Sequence, residues 1–173
     1  MDFNYFVLTV AAVATVAGCT ASDASAPSTD TQRAETATPT AGPADPSAAQ
    51  TALRDPKVIA QIRSVALRAS TSTGVPSPTG MLVVAAADHQ AAEKMISGAV
   101  ISDRAPVYVV QMTGGPFTSV EHPPGVAAPT GHVLTLTIDA RTYRVTDIGF
   151  SPVPLDLSQM GAPVVNLADS LLR

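Results

Sequence analysis

The stretch HVLTLTIDARTYRVTDIGF, residues 132–150, decides the fold. Its first half, His132 to Asp139, sets Leu134, Leu136 and Ile138 on one face and Thr135 and Thr137 on the other. That two-residue period predicts an antiparallel strand buried on one side only. Asp139-Ala140-Arg141-Thr142 follows as a turn, because an Asp there can bond its own backbone. Arg144 to Phe150 then returns as the partner strand. Upstream, Pro106 to Thr113 alternates Val107 and Val109 with Tyr108, Val110 and Met112. Both of its faces are apolar, as in a central strand. Met81 to Ala86 reads as a further buried strand, Leu155 to Met160 as a helical turn and Val164 to Leu167 as a short edge segment.

Two helices complete the pattern. Asp55 can cap, Pro56 suits a first helical turn, and Val58, Ile59, Ile62, Val65, Ala66 and Ala69 recur at three and four residues. Arg54, Lys57, Arg63 and Arg68 fall on the other, solvated faces, and Ser70 to Gly80 is a loop. Asp88 caps a short helix from His89 to Ser97, which Gly98 ends. The expected fold is α+β, with one or two helices packed on an antiparallel sheet of about four strands, within residues 53–173.

The N-terminal third is of a different kind. Phe6 to Val16 is an apolar run interrupted only by Thr9 and Thr15, too short to cross a bilayer, which takes about 20 residues as a helix. It reads as the hydrophobic region of a secretory signal. Val16-Ala17-Gly18-Cys19 then resembles the lipobox of bacterial lipoproteins: a branched apolar residue, two small residues, then cysteine. The resemblance implies a thioether-linked diacylglycerol on Cys19, the single cysteine of the chain, and cleavage between Gly18 and Cys19, so that residues 1–18 are removed. The leader departs from that pattern, since Met1 to Tyr5 holds Asp2 and no Lys or Arg, which predicts a start upstream of Met1 or, as the alternative, inefficient export. A plain cleaved secretion signal is the alternative.

Residues 19–52 read as a tether. From Thr20 to Ala52 there is no Val, Ile, Leu, Met, Phe, Trp or Tyr, and Ala, Thr, Ser and Pro supply 25 of 33 residues. With nothing larger than Ala to bury, such a segment is expected to stay disordered and to serve as a spacer.

Charge and composition exclude several classes. Ten basic residues against 14 acidic ones, a net charge of -4, leave no basic footprint for a nucleic acid. One cysteine permits no internal disulfide, cysteine zinc site or iron–sulfur cluster. Gly149-Phe150-Ser151-Pro152-Val153 lacks the second Gly of a nucleophile elbow, no Ser-x-x-Lys occurs, and the phosphate-loop and dinucleotide fingerprints are missing. No catalytic residue and no cofactor are predicted.

A helix followed by Pro106-Val107-Tyr108-Val109-Val110 and by Leu136-Thr137-Ile138-Asp139-Ala140-Arg141-Thr142 and Val145 resembles the PepSY-type module of exported bacterial proteins. That likeness implies restraint of a peptidase or binding in the envelope. The module closes its hairpin with Asp-Ala-x-Thr-Gly, whereas this chain has Tyr143 where the Gly would stand. A positive φ costs Tyr about 1 kcal/mol, which predicts a different turn here. The whole pattern also resembles lipoproteins of high-GC Gram-positive bacteria, from which no activity follows.

The remaining candidates lie between two strong strands, in Gly114 to Gly131. Long loops often bind something, and Phe117, Glu121 and His122 are the candidate binding residues, unless Phe117 to Val120 merely extends the strand. Glu121 and His122 could also join His132 across the hairpin as a weak metal site, since no two of the three histidines share an i, i+4 helix face. Asp139 and Asp147 flank one turn, where local hydrogen bonding is the ordinary role. The expected function is a non-enzymatic, lipid-anchored module on the extracytoplasmic face of the cell membrane, binding an envelope protein or cell-wall partner. A metal-assisted enzyme using Glu121, His122 and His132, and a purely structural envelope component, are the alternatives.

Overall fold

The computed structural model describes residues 42–43 and 45–168. The signal at residues 1–18, the cleavage position at Gly18, Cys19 and most of the tether lie outside the described residues. Among the described residues no helix is long and apolar enough to cross a membrane.

The elements are α1 (Pro46–Ala52), α2 (Pro56–Ser72), β1 (Gly80–Ala86), α3 (His89–Ile96), β2 (Val107–Thr118), β3 (Thr130–Asp139), β4 (Val145–Ser151), a single 3-10 turn (Leu157–Met160) and β5 (Val165–Asn166). They form one antiparallel sheet in the order β4-β3-β2-β1-β5. The α+β class is as the sequence predicts, the short edge segment expected at Val164 to Leu167 supplies the two-residue β5, and a third helix is added.

The third helix corrects the tether's boundary. Residues 46–52 fall inside the segment expected to be disordered, yet they form α1, with Ala49 and Leu53 buried. Asp45 caps it by accepting a hydrogen bond from the Ala48 amide at 2.8 Å, with Pro46 in the first turn. Asp55 and Pro56 start α2 in the same way, the Asp55 carboxylate accepting from the Lys57 amide at 2.8 Å. Composition misleads here because Ala49 needs no bulk: its small side chain lets α1 lie against the sheet, and the Tyr108 hydroxyl donates to the Ala49 carbonyl at 3.4 Å. Upstream again, the Gly42 amide donates to the Arg141 carbonyl at 2.7 Å, so the fold begins ahead of residue 53.

Both faces of the sheet are covered. On one side Ile59, Ile62, Val65 and Ala66 of α2, with Ala49 and Leu53, pack on Val83, Ala85, Tyr108, Val110, Met112, Leu134, Leu136 and Ile138. On the other, Ala92 and Ile96 of α3 and Leu157 of the 3-10 turn pack on Val84, Ala86, Val107 and Val109. β2 is thus the central strand that its two apolar faces predict. For β3 the one-sided expectation is wrong. Thr135 and Thr137 are buried as well, because α3 lies over that face and supplies a polar partner for Thr137.

The turn after β3 also differs from expectation. Tyr143 does adopt a positive φ, of 55°, while the Asp139 carboxylate accepts from the Arg141 and Thr142 amides at 3.1 and 2.6 Å. What holds Tyr143 there is its ring, stacked on Tyr108 with centroids 6.3 Å apart and planes 14° from parallel. Left-handed backbone costs Tyr about 1 kcal/mol that a Gly would recover, but stacking contributes ~1 kcal/mol and the ring's partial burial about as much again. Tyr143→Gly is therefore expected to lower stability by about 1 kcal/mol in urea unfolding. A gain would mean that strain outweighs the stack.

Candidate functional site

Helix α3 and strand β4 bring together side chains that lie 58 positions apart in the chain. Asp88 caps α3 by accepting from the Ala91 amide at 2.7 Å. The two first free amides of the helix, of His89 and Gln90, donate at 2.9 Å each to the carbonyls of Ala105 and Asp103, which folds the following segment back along the helix start. His89 and Glu93 stand one turn apart on the face that meets the sheet, 7% and 2% exposed.

Asp147 reaches them because of a bulge. Thr137 of β3 pairs with Asp147 and Ile138 with Val145, so Thr146 is an extra residue in β4. Without it, Val145 and Asp147 would face the same way. With it, Val145 packs on the α2 side, while Asp147 and Thr146 turn toward α3, and the Thr146 hydroxyl lies 3.5 Å from His89 Nε2.

The imidazole is held at both nitrogens. Nδ1 lies 2.9 Å from an Asp103 carboxylate oxygen and Nε2 lies 2.7 Å from one of Asp147. Glu93 Oε1 is 3.9 Å from Nε2 and accepts from the Thr137 hydroxyl at 3.0 Å, and its other oxygen accepts from Ser97 at 3.3 Å. Beside Glu93 and Asp147 is a cavity of about 10 Å³, lined also by Thr135 and Thr137.

The charges follow from this packing. Burial alone would lower the His89 pKa, but the hydrogen bonds to Asp103 and Asp147 and their negative charges outweigh it and raise it. Glu93 is pushed up by burial and by the neighbouring charge of Asp147, against the pull of Thr137, His89 and Ser97. Asp103 is lowered by its bond from His89 and by the Ala105 amide. The cluster therefore favours a proton on the His89 ring.

The chain matches no protein-family model, no curated protein and no solved structure.

The residues singled out from sequence are placed elsewhere. Phe117 is not an exposed loop residue but fully buried in the α2-side core. β2 continues past an irregularity between Thr113 and Phe117, and Phe117 pairs with Gly131, which shortens the loop to Ser119–Pro129. Glu121 and His122 are exposed on it and His132 is exposed in β3. His122 Nδ1 lies 3.2 Å from the neighbouring Pro123 carbonyl. Among the described residues the group of three histidine or acidic side chains with converging donor atoms is His89, Glu93 and Asp147, and not Glu121, His122 and His132. Ser151 is buried at the end of β4, its hydroxyl donating to the Val153 carbonyl.

A signal for the cluster is present in the sequence. His89 and Glu93 are spaced i, i+4 on a helix whose cap is plain, as a His–Glu pair rather than the His–His pair typical of a helical metal site. Asp147 has no such signal, because nothing in the alternation of β4 announces the bulge.

Proposed function

We propose that this protein is a lipid-anchored component of the bacterial envelope whose α+β domain is a non-enzymatic binding module. The observation that carries the reading is Val16-Ala17-Gly18-Cys19: the single cysteine of the chain stands at the lipid-accepting position, directly after an apolar run of signal length. A diacylated cysteine with a further acyl chain would hold the protein firmly on a membrane, where one chain would give only marginal binding. The Ala, Thr, Ser and Pro composition of the segment between Cys19 and the fold is that of a spacer. Recognition falls to the Ser119–Pro129 loop, where Val120 and Val126 are 71% and 53% exposed among Pro123, Pro124 and Pro129. Prolines restrict the loop in advance and so lower the entropy cost of binding. An extended envelope protein or a cell-wall polymer is the partner.

The test is made on the full chain expressed in a host that processes lipoproteins. Intact-mass analysis is expected to show a product that begins at Cys19 and carries a lipid adduct. Cys19→Ser is expected to lower the membrane-bound fraction about tenfold or more. Wild-type protein in the soluble fraction, still beginning at Met1 with a free thiol, overturns the proposal.

A further inference from the structure

We propose that His89, Glu93 and Asp147 bind one divalent transition-metal ion of the zinc type. One nitrogen and two carboxylate oxygens, from α3 and β4, lie within 4.8 Å of one another. An imidazole nitrogen with carboxylate oxygens suits zinc, whereas calcium takes six to eight oxygens and magnesium near-octahedral oxygen coordination.

The residues around the donors orient them. Asp103 lies 2.9 Å from His89 Nδ1. When it takes a hydrogen bond from Nδ1–H, the Nε2 lone pair faces Glu93 and Asp147, the arrangement in which a carboxylate supports a metal-ligating imidazole. Thr137 fixes Glu93 Oε1 at 3.0 Å. In the structure Nε2 is 2.7 Å from Asp147 and 3.9 Å from Glu93. Bonds of about 2.0 Å in a tetrahedron put ligand atoms about 3.3 Å apart. The two distances from Nε2 must change by similar small amounts in opposite senses, and the Glu93 and Asp147 oxygens, which lie within 4.8 Å of each other, must come to the same spacing.

Charge points the same way. A divalent ion standing in place of the Nε2 proton would set its charge against the Glu93 and Asp147 carboxylates, with the Asp103 carboxylate on the far side of the ring. Three protein donors leave a fourth position for solvent.

The experiment uses the full chain, free of tags, with Cys19 alkylated and trace metal removed by chelation. Zinc chloride is titrated calorimetrically, with magnesium and calcium chloride in parallel. One zinc per chain is expected, and the melting temperature should rise by roughly 10 °C at a hundredfold excess over Kd. Glu93→Gln keeps an oxygen for Thr137 and so retains the helical and strand circular dichroism, but should weaken zinc binding about a hundredfold. Asp103→Asn should weaken it about tenfold or more, and the His122→Ala/His132→Ala double variant should bind as wild type. In NMR spectra, paramagnetic cobalt should broaden the His89 ring signals and spare those of His122 and His132. The proposal is overturned by the absence of one-to-one binding, by a folded Glu93→Gln protein that binds as wild type, or by loss confined to the double histidine variant.

Discussion

Phe117→Ala is expected to cost about 3–5 kcal/mol of folding stability, the range for deleting a buried aromatic ring. The effect should appear as a lower urea midpoint with an unchanged denaturant slope. The ring is fully buried against the face that α1 and α2 cover. Its surroundings are shaped to admit it: a methyl group added at Gly115 would stand 2.7 Å from the Phe117 ring, and one at Gly131 would stand 2.6 Å from the Ser151 backbone amide. The next residue closes the site, since the Thr118 amide donates to the Thr73 carbonyl at 2.9 Å and ties the end of β2 to the end of α2. The lining therefore cannot collapse cheaply into the space left by alanine. The neighbouring Glu121→Ala/His122→Ala double variant touches only exposed side chains and should stay within about 0.5 kcal/mol of wild type. A Phe117→Ala loss below about 1 kcal/mol would contradict the buried placement.

His89→Ala is expected to be equally severe. In chelator-treated protein near pH 6 it should cost about 3–5 kcal/mol, because removing one partner of a buried ionic group leaves the others uncompensated. Asp147 and Glu93 would face each other beneath α3 without the imidazole between them. The companion variant Glu93→Gln separates charge from shape. The folded pKa of Glu93 is raised above the ordinary 4.5, so the folded protein holds that proton more tightly than the unfolded chain. The stability this contributes is full below the unfolded value and is lost as pH rises through the folded one. An amide never loses its proton, so metal-free Glu93→Gln should melt above wild type at pH 8 and level with it at pH 4. A variant that melts below wild type at pH 8 would show that the ionised carboxylate is stabilising.

The sheet was legible because its signals are local. Alternation in 107–113 and 132–139, the Asp139 turn and the Asp-Pro and Asp88 caps each act within a few residues, and each stands in the structure where the pattern puts it. What sequence could not supply depended on a second element. The burial of Thr135 and Thr137 follows from α3 lying over them, and the positive φ of Tyr143 is held by a ring 35 residues earlier, that of Tyr108. Helix α1 carried the same Asp-Pro signature as α2, but the lack of any large apolar side chain argued more loudly against it. The candidate site shows the same division. His89 and Glu93 were readable as a helical pair, whereas Asp147 joins them only through the extra residue at Thr146. For Phe117 the strand-extension reading holds and the loop reading does not: Gly114, Gly115 and Pro116 look like a loop, but here they form an irregular passage within a strand.

The hydrogen bond from Gly42 to Arg141 has a geometric consequence. Arg141 lies just beyond the Asp139 end of β3, while the Ser119–Pro129 hairpin tip adjoins the Thr130 end. Ten strand residues separate these poles, about 30 Å at the rise of an extended chain. The described chain thus enters the sheet at one pole, beside Arg141, and carries the exposed Val120 and Val126 at the other. The His89 cluster, level with Thr137, lies on the same half of the sheet as that entry point, away from the proline-rich tip.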